Sequence, residues 1–136
     1  FLEEQERQGT RDIAAFLATP AAIEFLRSPV WADVPPACHA LARDARAAIA
    51  ALTGLPALSP DGPEWYAQMV SIPLPLADGE ATQRRLYAER KIEVPIMTWN
   101  DRRLLRISVQ GYNAREDIDA LTSALAGLLA EPSHSG

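Results

Sequence analysis

A guanidinium in the middle of an apolar strand is the first feature of this sequence that could do chemistry. In Leu104-Leu105-Arg106-Ile107-Ser108-Val109 a two-residue alternation puts Leu105, Ile107 and Val109 on one face. Arg106 falls on the other face, with Leu104 and Ser108. Desolvating a guanidinium there is costly unless it meets an anion. Its planar fork matches a carboxylate through two parallel hydrogen bonds, which a lysine cannot offer. One reading is therefore an arginine that holds a substrate carboxylate. On pattern alone, a solvated arginine on an open sheet face, or one paired with an internal glutamate, is the more ordinary reading.

Gly9-Thr10-Arg11-Asp12 comes second. A glycine before a threonine lets the backbone approach closely and presents a hydroxyl and an amide, a combination suited to phosphate. A plain helix start with Asp12 as its cap accounts for the same residues. The remaining candidates carry less. Cys38 lies on the apolar stripe of a helix, and as the single cysteine it excludes an internal disulfide and a cysteine metal cluster. His39 and His134 have no third residue converging on them, so no metal site or catalytic dyad is expected. No phosphate-loop, dinucleotide or nucleophile-elbow pattern occurs. Trp65, Trp99 and the tyrosines read as core or interface aromatics, with Trp99 and Asn100 near enough to Arg106 to flank a pocket.

The elements that must position these groups follow from periodicity. Asp12 opens a helical pattern with Ile13, Phe16 and Leu17 on one face, and Thr19-Pro20 reads as a second helix start, ended at Ser28-Pro29. Pro35-Pro36 opens a longer helix over 36–53, its stripe built by Cys38, Leu41, Ala42, Ala45, Ile49 and Leu52, with Gly54 just beyond its end. The rest reads β-α-β-β-α. A strand runs from Trp65 to Leu74 and is ended, or placed at a sheet edge, by Pro73 and Pro75. A helix spans 77–90, strands span 91–97 and 104–109 with a tight turn at Asn100-Asp101, and a helix spans 116–130, capped by Asn113 with Glu116. The expected fold class is α+β: a small, mainly antiparallel sheet with helices packed on one face.

Composition sets outer bounds. The 136 residues are 48% hydrophobic and 23% charged, ordinary for a globular chain able to bury a core. A net charge of −5 offers no basic field for nucleic acid or an anionic membrane. No run is apolar enough to span a bilayer, and the acidic start, Phe1 to Arg7, is not a signal peptide. A lone cysteine suits a reducing, cytoplasmic setting. A start at Phe1 rather than methionine suggests a piece of a longer protein.

Arg103 to Asn113 with Asp117-Ile118-Asp119-Ala120-Leu121 resembles the C-terminal signature of class-V aminotransferases, and Gln8 to Asp12 with Pro20-Ala21-Ala22-Ile23 resembles that family's Gly-Thr element. Lys91 to Ile96 with Trp99 to Arg102 looks most like the branch that includes isopenicillin-N-epimerase-like proteins. The resemblance covers nearly the whole chain in order. It implies the C-terminal small domain of a fold-type-I pyridoxal 5'-phosphate enzyme, a homodimer acting at the α-carbon of an amino acid by transamination, epimerisation or elimination. By the same resemblance Arg106 would bind the substrate α-carboxylate. Thr10, in a loop shaped by Gly9, would reach the cofactor phosphate of the other subunit. Residues 1–30 would close the large cofactor-binding domain, 31–131 would form the small domain, and 132–136 a tail. The lysine that holds the cofactor would lie upstream in the missing large domain. Lys91, the one lysine here, matches no such motif, so no catalytic residue is expected in this chain and alone it should be inactive. The rival expectation is a stand-alone α+β module that grips a small carboxylate ligand through Arg106.

Overall fold

The computed structural model describes residues 9–10 and 12–131, so the expectations for residues 1–8, for Arg11, for His134 and for the 132–136 tail lie outside the described residues. The chain divides into two compact units, Phe1–Asp33 and Val34–Gly136.

The first unit holds α1 (Ala14–Arg27) and a 3-10 turn (Pro29–Trp31). Asp12 Oδ1 accepts the Ala14 N–H at 2.8 Å, so the aspartate does tie down the helix start. The expected break at Thr19-Pro20 is absent, because α1 runs through Pro20 as one helix. Thr19 is not a cap: its hydroxyl donates back to the Ala15 carbonyl at 3.0 Å, the i−4 bond a threonine makes inside a helix. Ser28, extended at ψ 149°, ends the helix before Pro29, as the sequence indicates. No residue of α1 is buried.

The second unit follows the β-α-β-β-α order. It comprises α2 (Val34–Thr53), β1 (Met69–Leu74), α3 (Gly79–Arg90), β2 (Ile96–Trp99), β3 (Arg102–Ser108) and α4 (Arg115–Ala130). The sheet is antiparallel in the order β1-β3-β2, with Ile72 opposite Leu105 and Ile96 opposite Leu105 from the other side. Val70, Ile72, Leu74, Leu105, Ile107 and Val109 form one apolar face. Cys38, Ala42, Ala45 and Ile49 of α2, Leu86 of α3, and Ile118, Leu121 and Leu125 of α4 join them in a single core, so all three helices serve the same side of the sheet. This is the expected α+β architecture.

Backbone hydrogen bonding explains where the strands run and where they begin. The Arg106 N–H turns toward β2, so Leu105 and Ile107 turn toward β1 and bond Ile72 and Val70. Pro73, between those positions, then faces the open edge, where a missing N–H costs no ladder bond. The strand expected from Lys91 begins only at Ile96. Lys91 takes a left-handed conformation (φ 58°), its N–H reaches Tyr87 O, and the Ile92 N–H reaches Leu86 O. The two residues close α3 in a Schellman motif and cannot pair as strand. Likewise residues 65–68 are not strand. Tyr66 is buried there and donates its hydroxyl to Asp61, which also receives Arg43 and Arg46 from α2. Those donors hold the Asp61 carboxyl below its usual range, first through Tyr66 and then Arg43. Burial, then the bond to Asp61, pushes the Tyr66 phenol up. The turn Asn100-Asp101 carries two positive φ angles, 46° and 58°, the geometry of a two-residue hairpin that Asn and Asp tolerate.

Candidate functional site

Arg106 sits in the central strand, where β3 outruns β2. Strand pairing on that side stops at Leu105, and beyond it the Arg106 N–H donates to the Pro95 carbonyl at 3.0 Å. The widening gap is a groove of about 400 Å³. The segment 90–95 forms one wall, Arg106 to Val109 the floor, and Asn113, Asp117 and the start of α4 the far side. Ile92 and Val94 anchor the first wall by packing on the core.

The guanidinium is half-buried, and among the described residues it forms no ion pair and no hydrogen bond. Other half-buried arginines are engaged: Arg46 with Asp61 and the Ser59 carbonyl, Arg85 with Glu89 and Glu131, Arg103 with Ala77 O and Thr98 Oγ1. The sequence left open whether Arg106 is solvated, paired with a glutamate, or held for a ligand. Among the described residues the glutamate partner is absent, and the side chain lines a groove.

The rim opposite Arg106 is stiffened by one turn. The Gln110 N–H donates to Asn113 Oδ1 at 2.9 Å, and Asn113 Nδ2 donates to Asp117 Oδ2 at 3.1 Å. The Ala114 N–H donates to the same carboxylate at 3.1 Å. These bonds, the backbone one first, hold the Asp117 carboxyl below its usual range. The expected Asn113–Glu116 capping pair is therefore corrected. Ala114 is the N-cap, Asp117 three residues on closes the box from inside the helix, and Asn113 braces the turn before it.

Trp99 and Asn100 do not flank this groove. They lie at the hairpin end of β2, where Trp99 pairs with Arg102, four residues up the strand from Arg106, and both are exposed. At about 3.3 Å per residue that is roughly 13 Å away. The walls that do flank it, 90–95 and 113–117, fall within stretches that carry the family resemblance, but no local pattern in them marks a groove.

Gly9 and Thr10 belong to the first unit. Gly9 holds a left-handed φ of 67°, which favours glycine, and Thr10 follows it in an exposed bend. Cys38 is buried in the core, as expected. No group of three or more potential metal ligands occurs among the described residues. No helix of the described residues is long and apolar enough to cross a membrane.

The fold is shared with a catalytic protein of known structure. Over 68% of this chain and 27% of that one, the structure superposes on 8-amino-7-oxononanoate synthase from Francisella tularensis with a TM-score of 0.50 and 19% identity, a likeness of fold alone. The sequence is closer to another group. The chain is 36% identical to isopenicillin N epimerase of Streptomyces clavuligerus over 131 residues, 96% of this chain and 33% of the relative. It is 31% identical to the isopenicillin N epimerase of Amycolatopsis lactamdurans over 128 residues, 93% and 32% respectively. The chain thus spans about one third of the length of the curated relatives it matches. A match of 131 residues exceeds the second unit, Val34–Gly136, so the likeness extends into the first. No protein-family model matches the chain.

Proposed function

We propose that this chain is the C-terminal section of a pyridoxal-phosphate-dependent enzyme of the class-V aminotransferase kind, and that Arg106 holds the α-carboxylate of its amino-acid substrate. The observation that carries the reading is a half-buried guanidinium without an internal acceptor among the described residues, lining a groove, in a chain whose relatives are epimerases. A bidentate carboxylate supplies what that side chain lacks. Fixing the α-carboxylate sets which bond at the α-carbon lies in line for cleavage, and orientation of this kind is worth several kcal/mol of barrier, roughly. The cofactor, when bound, supplies the electron sink that makes such a bond labile.

The residues present fit part of that cofactor's needs. Thr10 offers an exposed hydroxyl beside the left-handed Gly9, a loop able to meet a phosphate, and these two residues would hold it across a homodimer. Lys91 fits no cofactor role. Its Nζ donates to Ala88 O at 3.3 Å and lies over the Tyr87 ring, at the capped end of α3. The cofactor-holding lysine then belongs to an upstream large domain, of which residues 1–30 form the end, while 31–131 form the small domain. The name of the relatives favours epimerisation over transamination or elimination, and isopenicillin N over other amino acids.

Steady-state kinetics of Arg106→Ala in the full-length enzyme test the reading. Loss of the charge-assisted pair should weaken substrate binding by about 2–5 kcal/mol, with KM rising more than kcat falls. Unchanged kinetics would remove the assignment. The isolated chain, incubated with pyridoxal phosphate, should develop no absorbance band beyond that of the free cofactor, and a stable new band would contradict the absence of a cofactor lysine.

A further inference from the structure

The groove that Arg106 lines is also lined by two exposed cations, Arg90 and Lys91, at the C-terminal end of α3. Arg106, Arg90 and Lys91 thus put three basic side chains on one groove in a chain of net charge −5. Two carboxylates also line it. Asp117 is bound by the Ala114 N–H and the Asn113 amide, which hold it in the turn before α4. Glu93 is exposed between Ile92 and Val94, which pack inward.

Basic residues at a helix C-terminus ordinarily offset the helix dipole. Lys91 does this directly through Ala88 O. Arg90 lies in the same last turn, but among the described residues its side chain makes no hydrogen bond or ion pair, and Glu89, the carboxylate that feels its charge, is already held by Arg85. Segment 90–95 is fixed by the Schellman turn at one end and the Pro95 carbonyl at the other, so Arg90 stands at a set place on the groove rather than on a loose loop.

We propose that the groove takes an amino acid whose side chain bears a second negative group, with the α-carboxylate on Arg106 and the distal group on Arg90, supported by the field of Lys91. The inference rests on the carboxylate role of Arg106 and adds the substrate class. It makes Arg90 a specificity residue.

The test uses the full-length holoenzyme and the cofactor absorbance change as the binding readout. The ligands are dicarboxylic amino acids with one, two or three side-chain methylenes, each compared with its side-chain carboxamide. The acid of fitting length should bind about tenfold tighter than its amide, as a charge-assisted pair does relative to a neutral one. Arg90→Ala should erase that preference while moving the amide's affinity less than about twofold, and Arg90→Lys should keep part of it. Arg106→Ala should weaken acid and amide alike. No preference at any length in the wild type, or a preference that survives Arg90→Ala, overturns the inference. If Arg106→Ala leaves both ligands unaffected, the carboxylate reading itself fails.

Discussion

The two units of this chain are equally rich in apolar residues and use them in opposite ways. In α1 nearly every side chain is apolar, yet Leu17 is 72% exposed, Phe25 59% and Leu26 61%. In the second unit Leu105, Ile49, Ala42, Ala45 and Leu125 are fully enclosed at 0%. The difference lies in how much of each helix is apolar. The apolar residues of α2 and α4 fall on one stripe that an alternating sheet face can accept, and these elements close a core among themselves. The apolar residues of α1 go nearly all round the helix, which is the pattern of a segment enclosed by neighbours on several sides. The chain spans about one third of the length of its relatives, and α1 is the helix whose large apolar side chains stay exposed among the described residues.

Substitutions can break or sharpen that contrast. The largest effect is expected at Leu105→Ala, which opens a cavity at the meeting point of all three strands and should cost about 2–5 kcal/mol in denaturant unfolding of the chain. Next is Gly79→Ala at the start of α3. An added Cβ would meet Ile96 Cγ2 at 2.8 Å, and the resulting overpacking should cost about 1–3 kcal/mol by the same measurement. Gly127→Ala in α4 has open space around its Cβ and should instead stabilise by roughly 0.5–1 kcal/mol, the helix propensity difference. Leu17→Ala in α1 should shift the second unit's unfolding by less than about 0.5 kcal/mol. A large shift from Leu17 would contradict the exposure of α1, and a small one from Leu105 would contradict its enclosure in the core.

Acid should act on the second unit through Asp61 and Asp117. Both carboxyls are held below their unfolded values by bonds they accept, Asp61 from Tyr66 and Arg43, Asp117 from Ala114 and Asn113. A depressed folded pKa means that the unfolded chain takes up the proton first as pH drops. The stabilisation is present in full above the ordinary carboxylate range and is lost as pH falls through the lowered values. Asp61→Asn should flatten the acid limb of a melting-temperature profile while leaving neutral pH the less stable side of the comparison with wild type. An unchanged acid limb in both Asp61→Asn and Asp117→Asn would contradict these assignments.

Much of the second unit was legible because its constraints are local. The stripe from Cys38 to Ile49 repeats at helical spacing, β3 alternates, and Pro73 announces an edge. The turn chemistry of Asn100-Asp101 was readable too. What could not be read depends on which of two competing local signals wins, or on residues distant in sequence. Residues 91–95 carry a strand pattern in Ile92 and Val94, but Lys91 and Ile92 are taken by the α3 cap and Pro95 has no N–H to give. Pro20 signals a helix start that α1 overrides. Arg106 was visible as an anomaly from the strand alone. Its groove was not, because walls at 90–95 and 113–117 come to the strand only through the fold.

The central claim is that the Arg106 guanidinium meets the α-carboxylate of an amino acid. Its most direct test is the binding preference of the full-length holoenzyme for a substrate amino acid over the same molecule with its α-carboxylate converted to the amide, compared between wild type and Arg106→Ala. The account predicts a strong preference for the acid in the wild type and near-equal binding in the variant. The same preference in both proteins would show that the carboxylate docks elsewhere.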